Sequence, residues 1–286
     1  MKKLNYFLQY IFVKIFFFIF SIIGYKLSSL IGGIIGKSIG PFFRSKKIII
    51  DNFKIAKIDE NNNNYNNIIK NMWENYGRIF SEYPHLINFK NNKLSKYLTI
   101  EGAEYLEEIK IKKKPVVFIS GHFSNFELMA MQLENSGIDI AAIYRPLNNI
   151  FLNSTMEKIR INHICKNQIP KGKSGSRKIL EFFKKGTSIA LMIDQRVSEG
   201  VKVNFFNRPA YTTSIPAQLS KKFECEIVPV YIERIENYFF NISINKPLKF
   251  EKTDSIEKIT EKLNNILESM ISKNPNQWIW THNRWK

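Results

Sequence analysis

His122 and Glu127 close the run Pro115–Glu127, PVVFISGHFSNFE, as an H-x4-E element. An imidazole with a nearby carboxylate is the equipment for making a hydroxyl nucleophilic. A hydroxyl is a weak nucleophile at neutral pH, and a positioned imidazole can take its proton as a thioester carbonyl is attacked. A carboxylate on the other ring nitrogen fixes the tautomer and stabilises the imidazolium. Val116–Ser120 reads as a buried strand and Ser124 as the N-cap of a following helix. His122 is thus expected at a strand-to-helix turn, with Glu127 in the first helical turn and within reach of the ring. A second reading stands beside this one. Ser124-x-x-Glu127 is also a capping box, in which Glu127 only closes the helix start.

Further polar groups follow apolar runs, where sites form in open α/β sheets. Arg145 and Asn148 lie in YRPLNN, after Ile138–Tyr144. Arg145 suits an oxyanion or a phosphate, or a solvated turn before proline. Asp194 and Gln195 follow Ser188–Ile193; they read as substrate-orienting groups or as an ordinary strand-end turn. Lys171 opens the basic loop KGKSGSR, which suits phosphate or an acidic carrier protein, or simply faces solvent. The tail QWIWTHNRW is either the lining of an acyl pocket, a membrane-surface element or a packed C-terminus.

These groups need a sheet to position them. Strands are expected at Leu98–Glu101, Val116–Ser120, Ile138–Tyr144, Ser188–Ile193, Ile227–Glu233 and Tyr238–Ile244. Helices are expected at Asn125–Asn135, Asn149–Asn162, Ser174–Lys184, Pro216–Phe223 and Ile256–Ser272, with a helical region from Ile48 to Lys90 broken by a loop at Asn61–Asn64. The alternation gives an α/β fold with a mixed central sheet flanked by helices. No dinucleotide fingerprint or P-loop occurs, so no nucleotide cofactor is expected. Cys165 and Cys225 have neither metal spacing nor a disulfide pattern, so no metal is expected and both read as free buried thiols.

The N-terminus is apolar. Leu4–Ile23 contains 14 Leu, Ile, Val and Phe residues and one central lysine, Lys14. On an insertion scale the apolar gain of about 6 kcal/mol exceeds the roughly 3 kcal/mol cost of Lys14. Twenty residues can just span a bilayer; an interfacial amphipathic helix is the alternative. A cleaved signal peptide is disfavoured, because no A-x-A site follows. The glycine-containing stretch Ile31–Gly40 suits a second segment at the membrane. Lys26, Lys37, Arg44, Lys46 and Lys47 follow the apolar run, against Lys2 and Lys3 before it, so the bulk of the chain is expected in the cytoplasm. The expected division is an anchoring segment at 1–45 and an α/β domain at 46–286. The net charge of +18 calls for anionic partners, with part of it compositional in a Lys- and Asn-rich chain. The charge is spread and no nucleic-acid module is recognisable, so nucleic acid is not an expected partner.

Taken together, these residues resemble one family, the late acyltransferases of lipid A biosynthesis. The resemblance runs over nearly the whole chain: the apolar anchor, GHFSNFE, YRPLNN, Lys171-Gly172, the Asp194-Gln195 turn, FFNRPAYTTSIPAQLSKK, VPVYIER and NPNQWIWTHNRW. Asn207 departs from the glycine usual in the family's FFG element, and asparagine tolerates positive φ better than most residues. The Pro-Glu-Gly turn of glycerol-phosphate acyltransferases is absent, which argues against a glycerolipid acceptor. The resemblance implies a glycerolipid-acyltransferase-like fold with an N-terminal membrane-anchoring helix, at the cytoplasmic face of the bacterial inner membrane. It implies transfer of an acyl chain from acyl carrier protein to a hydroxyl of a Kdo-bearing lipid A precursor, with inner-membrane lipid as a further partner and no cofactor. His122 would be the base and Glu127 its orienter. Arg145, Asn148, Lys171, Asp194, Gln195 and Arg234 would bind substrate or the oxyanion. The alternatives are an acyltransferase for another membrane glycolipid or for lysophospholipid, and a non-catalytic membrane-anchored lipid-binding protein.

Overall fold

The computed structural model describes residues 2–58 and 65–286. The expected loop at Asn61–Asn64 lies outside the described residues. A seven-stranded mixed sheet forms the centre. Its strands are β1 (Leu98–Glu101), β2 (Val117–Ser120), β3 (Ile140–Tyr144), β4 (Asn167–Pro170), β5 (Ser188–Met192), β8 (Ile227–Ile235) and β9 (Phe239–Ile244), in the order β1-β9-β8-β2-β5-β3-β4. Every pairing is parallel except β8 with β9, which form a hairpin. β2 reads VFIS and is buried at every position, as a central parallel strand covered on both faces should be.

The six expected strands all form, with ends shifted by at most two residues. Three others were not foreseen. β4 is short and polar (NQIP) and pairs at the sheet edge. β6 (Val201–Phe205) and β7 (Arg208–Thr212) make a separate hairpin around Phe206 and Asn207. Both turn residues have positive φ, 52° and 55°, as a two-residue hairpin turn that follows strand twist requires. Asn207 therefore meets the backbone demand that glycine would otherwise meet.

The helices are α1 (Lys2–Ile23), α2 (Tyr25–Ile39), α3 (Lys46–Ala56), α4 (Tyr65–Glu82), α5 (Leu86–Lys90), α6 (Ala103–Lys112), α7 (Glu127–Asn135), α8 (Ile150–Ile159), α9 (Lys173–Lys184), α10 (Ile215–Phe223) and α11 (Ile256–Lys273). α6 was not foreseen. α7 begins at Glu127 with Phe126 at its N-cap, and no side-chain cap forms there. Ser124 instead lies in the preceding loop at φ 43°. The expected N-cap at Ser124, and with it the capping box, is thus corrected.

α1 is long and apolar enough to cross a membrane. One side packs along the body: Phe7 on Phe151, Phe16 on Phe80, Phe17 on Tyr83. The other side leaves Leu8, Phe12, Ile15, Phe18, Ile19 and Ile22 exposed. α2 packs on α4 through glycines. A Cβ on Gly77 would lie 2.0 Å from the Gly32 carbonyl oxygen, and one on Gly36 would lie 2.3 Å from the Trp73 carbonyl oxygen. Only glycine lets the two backbones approach this closely.

That contact leads into a buried polar cluster. Arg234 forms a two-pronged ion pair with Glu82 at 2.5 and 3.0 Å. Ser29 and Asn125 also donate to Glu82, at 2.7 and 2.9 Å. Asn125 belongs to the loop that carries His122, so the cluster ties that loop to α2, α4 and β8. Gly77→Ala should therefore destabilise the fold by about 1–3 kcal/mol, the usual size of an overpacking strain. Thermal unfolding in detergent measures this; an unchanged Tm would contradict the close α2–α4 contact.

Candidate active site

The parallel register builds the site. Ser120 of β2 is paired with Met192 of β5. His122 and Asp194 each come two residues later, so they leave the sheet side by side. The Ile193 N–H still donates to the Ser120 carbonyl at 2.9 Å. Beyond it, Asp194 Oδ2 accepts from the His122 backbone N–H at 2.8 Å, and Oδ1 accepts from His122 Nδ1 at 2.8 Å. The Trp278 indole N–H completes the set at 2.9 Å from Oδ2. A carboxylate is an acceptor only, so this geometry assigns the proton to Nδ1 and leaves Nε2 bare. Asp194 is wholly buried, whereas the His122 side chain is 21 % exposed.

The electrostatics agree. Burial pushes the His122 pKa down, but the adjacent Asp194 carboxylate outweighs burial and leaves it above the ordinary 6.5. Burial raises Asp194, and His122 with three hydrogen-bond donations brings its pKa below the ordinary value. The pair is an imidazole of fixed tautomer whose Nε2 is free to accept a proton.

Glu127 does not contact Nδ1. It accepts from the Tyr83 hydroxyl at 2.5 Å and pairs with Arg160 Nε at 3.5 Å. The expectation of Glu127 as orienter is corrected on this point: Asp194 occupies the ring nitrogen, and Glu127 is engaged by a phenol and a guanidinium. Glu127 still lines the cavity below His122. Arg160 was missed by the sequence reading. It follows α8 in a one-turn π-helix, Arg160–Ile164, a feature frequent at functional sites. Its Nη1 is buried with no hydrogen-bond partner among the described residues. No motif flags Arg160, because its partner lies 33 positions earlier.

His122 opens onto a cavity of about 1200 Å³. Arg145, Asn148, Lys171 and Gln195 all line it, with Arg44, Arg196 and Lys286. Arg145 and Lys171 follow the paired residues Tyr144 and Pro170 of neighbouring strands. Burial and the like charge of Arg145 hold the Lys171 ammonium below its usual pKa. Cations are thus crowded at this rim. The deeper part is apolar. Phe118, Ala190 and Ala142 form one register row across β2, β5 and β3, and Ala130 and Leu133 descend one face of α7 below Glu127. All five line the cavity. β5 is a central strand, yet Ala190 and Met192 remain partly exposed, so a groove runs over the sheet.

Arg234 is not brought to the cavity. Its buried guanidinium is neutralised by Glu82 and stacked 4.6 Å over the Phe240 ring, so its expected substrate role is corrected to a structural one. The aromatic tail is a packed element: Trp278 and Trp280 are buried, and Trp278 holds Asp194.

The sequence matches the family model for bacterial lipid A biosynthesis acyltransferases over residues 1–286. The chain belongs to that family. Relatives include the lipid A biosynthesis palmitoleoyltransferase of Escherichia coli (strain K12), 22% identical over 92% of this chain and 86% of the relative. The lipid A biosynthesis acyltransferase of Haemophilus influenzae is 26% identical over 69% of this chain and 63% of its own length. Among solved structures, the 1-acyl-sn-glycerophosphate acyltransferase of Thermotoga maritima aligns with TM-score 0.42 and 13% identity, covering 90% of this chain and all of that one. Family membership makes acyl transfer in lipid A biosynthesis the class of activity.

His122→Ala and Asp194→Asn should each lower kcat by about 10²–10⁴-fold, the size of a general-base contribution. The pH profile distinguishes the two carboxylates. The neutral imidazole is lost as pH falls through its raised pKa. Removing the Asp194 charge leaves burial dominant, so the acid limb should move to lower pH. Glu127→Gln should move it less. A larger shift in Glu127→Gln than in Asp194→Asn, in rates measured from pH 5 to 9, would contradict the pairing.

Proposed function

We propose that the protein moves a fatty acyl chain from the thioester of acyl carrier protein to a hydroxyl of a Kdo-bearing lipid A precursor, at the cytoplasmic face of the bacterial inner membrane. The observation that carries this reading is the joining of three features in one cavity: a bare imidazole nitrogen, an apolar groove and a cationic rim.

The acceptor hydroxyl gives its proton to His122 Nε2 as its oxygen attacks the thioester carbonyl. Asp194 stabilises the imidazolium so formed. The developing oxyanion is stabilised by Arg160, whose Nη1 lacks a partner among the described residues and whose guanidinium is held by Glu127. Collapse breaks the carbon–sulfur bond, and the thiolate leaves with the proton from Nε2. An ester and a free carrier thiol result.

The acyl chain lies along Ala190, Ala142 and Ala130, where small side chains leave room over the sheet. Arg145 and Lys171, with Asn148 and Gln195 beside them, receive the phosphorylated acceptor, which relieves their mutual repulsion. The basic surface favours encounter with an acidic carrier protein. The outward apolar face of α1 enters lipid and brings the cavity to a membrane-bound acceptor.

Acyl transfer from acyl carrier protein, followed by mass spectrometry, tests this directly. The wild-type enzyme should add one acyl chain to the Kdo-bearing precursor. Acylation of lysophospholipid but not of the precursor would overturn the reading in favour of a glycerolipid enzyme. In the same assay Ala190→Leu should shift preference to shorter chains, with discrimination on the order of 10–200-fold per misfitting methylene. An unchanged chain-length profile would contradict the placement of the acyl chain in the groove.

A further inference from the structure

A second depression, of about 350 Å³ and sharing no lining residue with the cavity, opens where α1 ends and α2 begins. Ile23, Gly24 and Leu27 form one side, and Lys93, Leu94 and Lys96 form the other. Tyr97 lies between two lysines. Lys26 Nζ is 5.6 Å from the centre of its ring, and Lys96 Nζ is 5.2 Å from it. Lys26 is also 5.8 Å from the ring of Tyr238. Two ammonium groups thus approach one aromatic ring, and the third lysine lines the same depression.

No carboxylate among the described residues lines this pocket. Among the described residues, Lys26, Lys93 and Lys96 form no ion pair, whereas Lys37, Lys90, Lys110 and Lys112 all do. A ring face attracts a cation only modestly at an exposed site. That contact leaves the positive charge of each lysine available to an anion. An anion in the pocket would meet three lysines and no carboxylate among the described residues.

The surroundings indicate where that anion comes from. Phe18, Ile19 and Ile22 near the end of α1, and Leu27 and Leu30 at the start of α2, are all exposed and apolar. Lys26 stands between these two groups in the chain, and Lys93 and Lys96 line the same pocket. Lysines set beside exposed apolar residues pair with lipid phosphate while those neighbours enter the acyl region. We propose that this pocket binds the phosphate of an anionic membrane phospholipid and holds the α1–α2 junction at the headgroup level. The site is separate from the acyl-transfer cavity and does not depend on the proposed reaction.

The test uses the full chain in neutral detergent micelles, titrated with dihexanoyl phosphatidylglycerol, dihexanoyl phosphatidylcholine or inorganic phosphate. Binding is followed by calorimetry, with native mass spectrometry for stoichiometry. The phosphatidylglycerol should bind saturably at one site. The variant Lys26→Gln/Lys93→Gln/Lys96→Gln should bind it about 100-fold more weakly, as expected for three lysines at an anionic lipid surface. The matching triple Lys→Arg variant should retain binding. The three lysines are exposed, so unfolding of the variant is not expected, and thermal unfolding checks this. Equal binding of phosphatidylglycerol by wild type and the Gln variant would overturn the proposal. So would equal binding of phosphatidylcholine. Displacement of phosphatidylglycerol by an equal concentration of inorganic phosphate would identify free phosphate, not lipid, as the ligand.

Discussion

A buried charge organises this molecule. Asp194 lies in the interior at the end of a central strand, and a carboxylate there is tolerable only when donors surround it. Three donors do so, from two distant parts of the chain. The His122 backbone N–H comes from the loop after β2, the Nδ1–H from the same residue's side chain, and the indole N–H from Trp278 near the C-terminus. The carboxylate can be satisfied only when β2 and β5 are in register and the tail has docked. The requirement that neutralises Asp194 also fixes the imidazole, so stability and chemistry are joined in one set of hydrogen bonds.

The second buried charge plays the matching part on the other side of the loop. Glu82 takes donors from Arg234, Ser29 and Asn125. Breaking such a pair by removing one partner leaves a charge stranded in the interior. The His122 loop is therefore held at Asn125 by the α2–α4 side and at His122 by the sheet, with the Ser124 N–H bound to the Gln277 carbonyl at 3.0 Å between them. An imidazole held from both sides would need little reorganisation in the proposed proton transfer.

The sequence disclosed what local pattern controls. Apolar runs such as Val116–Ser120 and Ser188–Ile193 marked the central strands, and polar residues just after them marked the cavity rim. Long-range pairing was not legible. Glu127 was the expected partner of His122 because it stands five residues away. The residue that binds the ring is 72 positions distant, and only the β2–β5 register brings it there. Arg160 and Tyr83 were missed for the same reason. Arg234, read as a substrate group from its motif, proved to serve an internal ion pair formed with a helix 152 residues earlier. The short polar strand β4 lacked apolar alternation; β6 does alternate in Val201–Phe205, but its turn is Phe206-Asn207 and not the Asn-Gly pair that announces a hairpin.

The central claim is that Asp194 fixes the proton on Nδ1 of His122 and leaves Nε2 free to act as base. Nitrogen chemical shifts of His122 in selectively ¹⁵N-histidine-labelled protein test it most directly, with His122→Gln used to assign the signal. At a pH above the imidazole's titration, the protonated nitrogen should be Nδ1 and the bare nitrogen Nε2. Asp194→Asn, whose side chain can also donate, should lose that preference. A predominantly Nε2-protonated His122 in the wild-type protein would contradict the account.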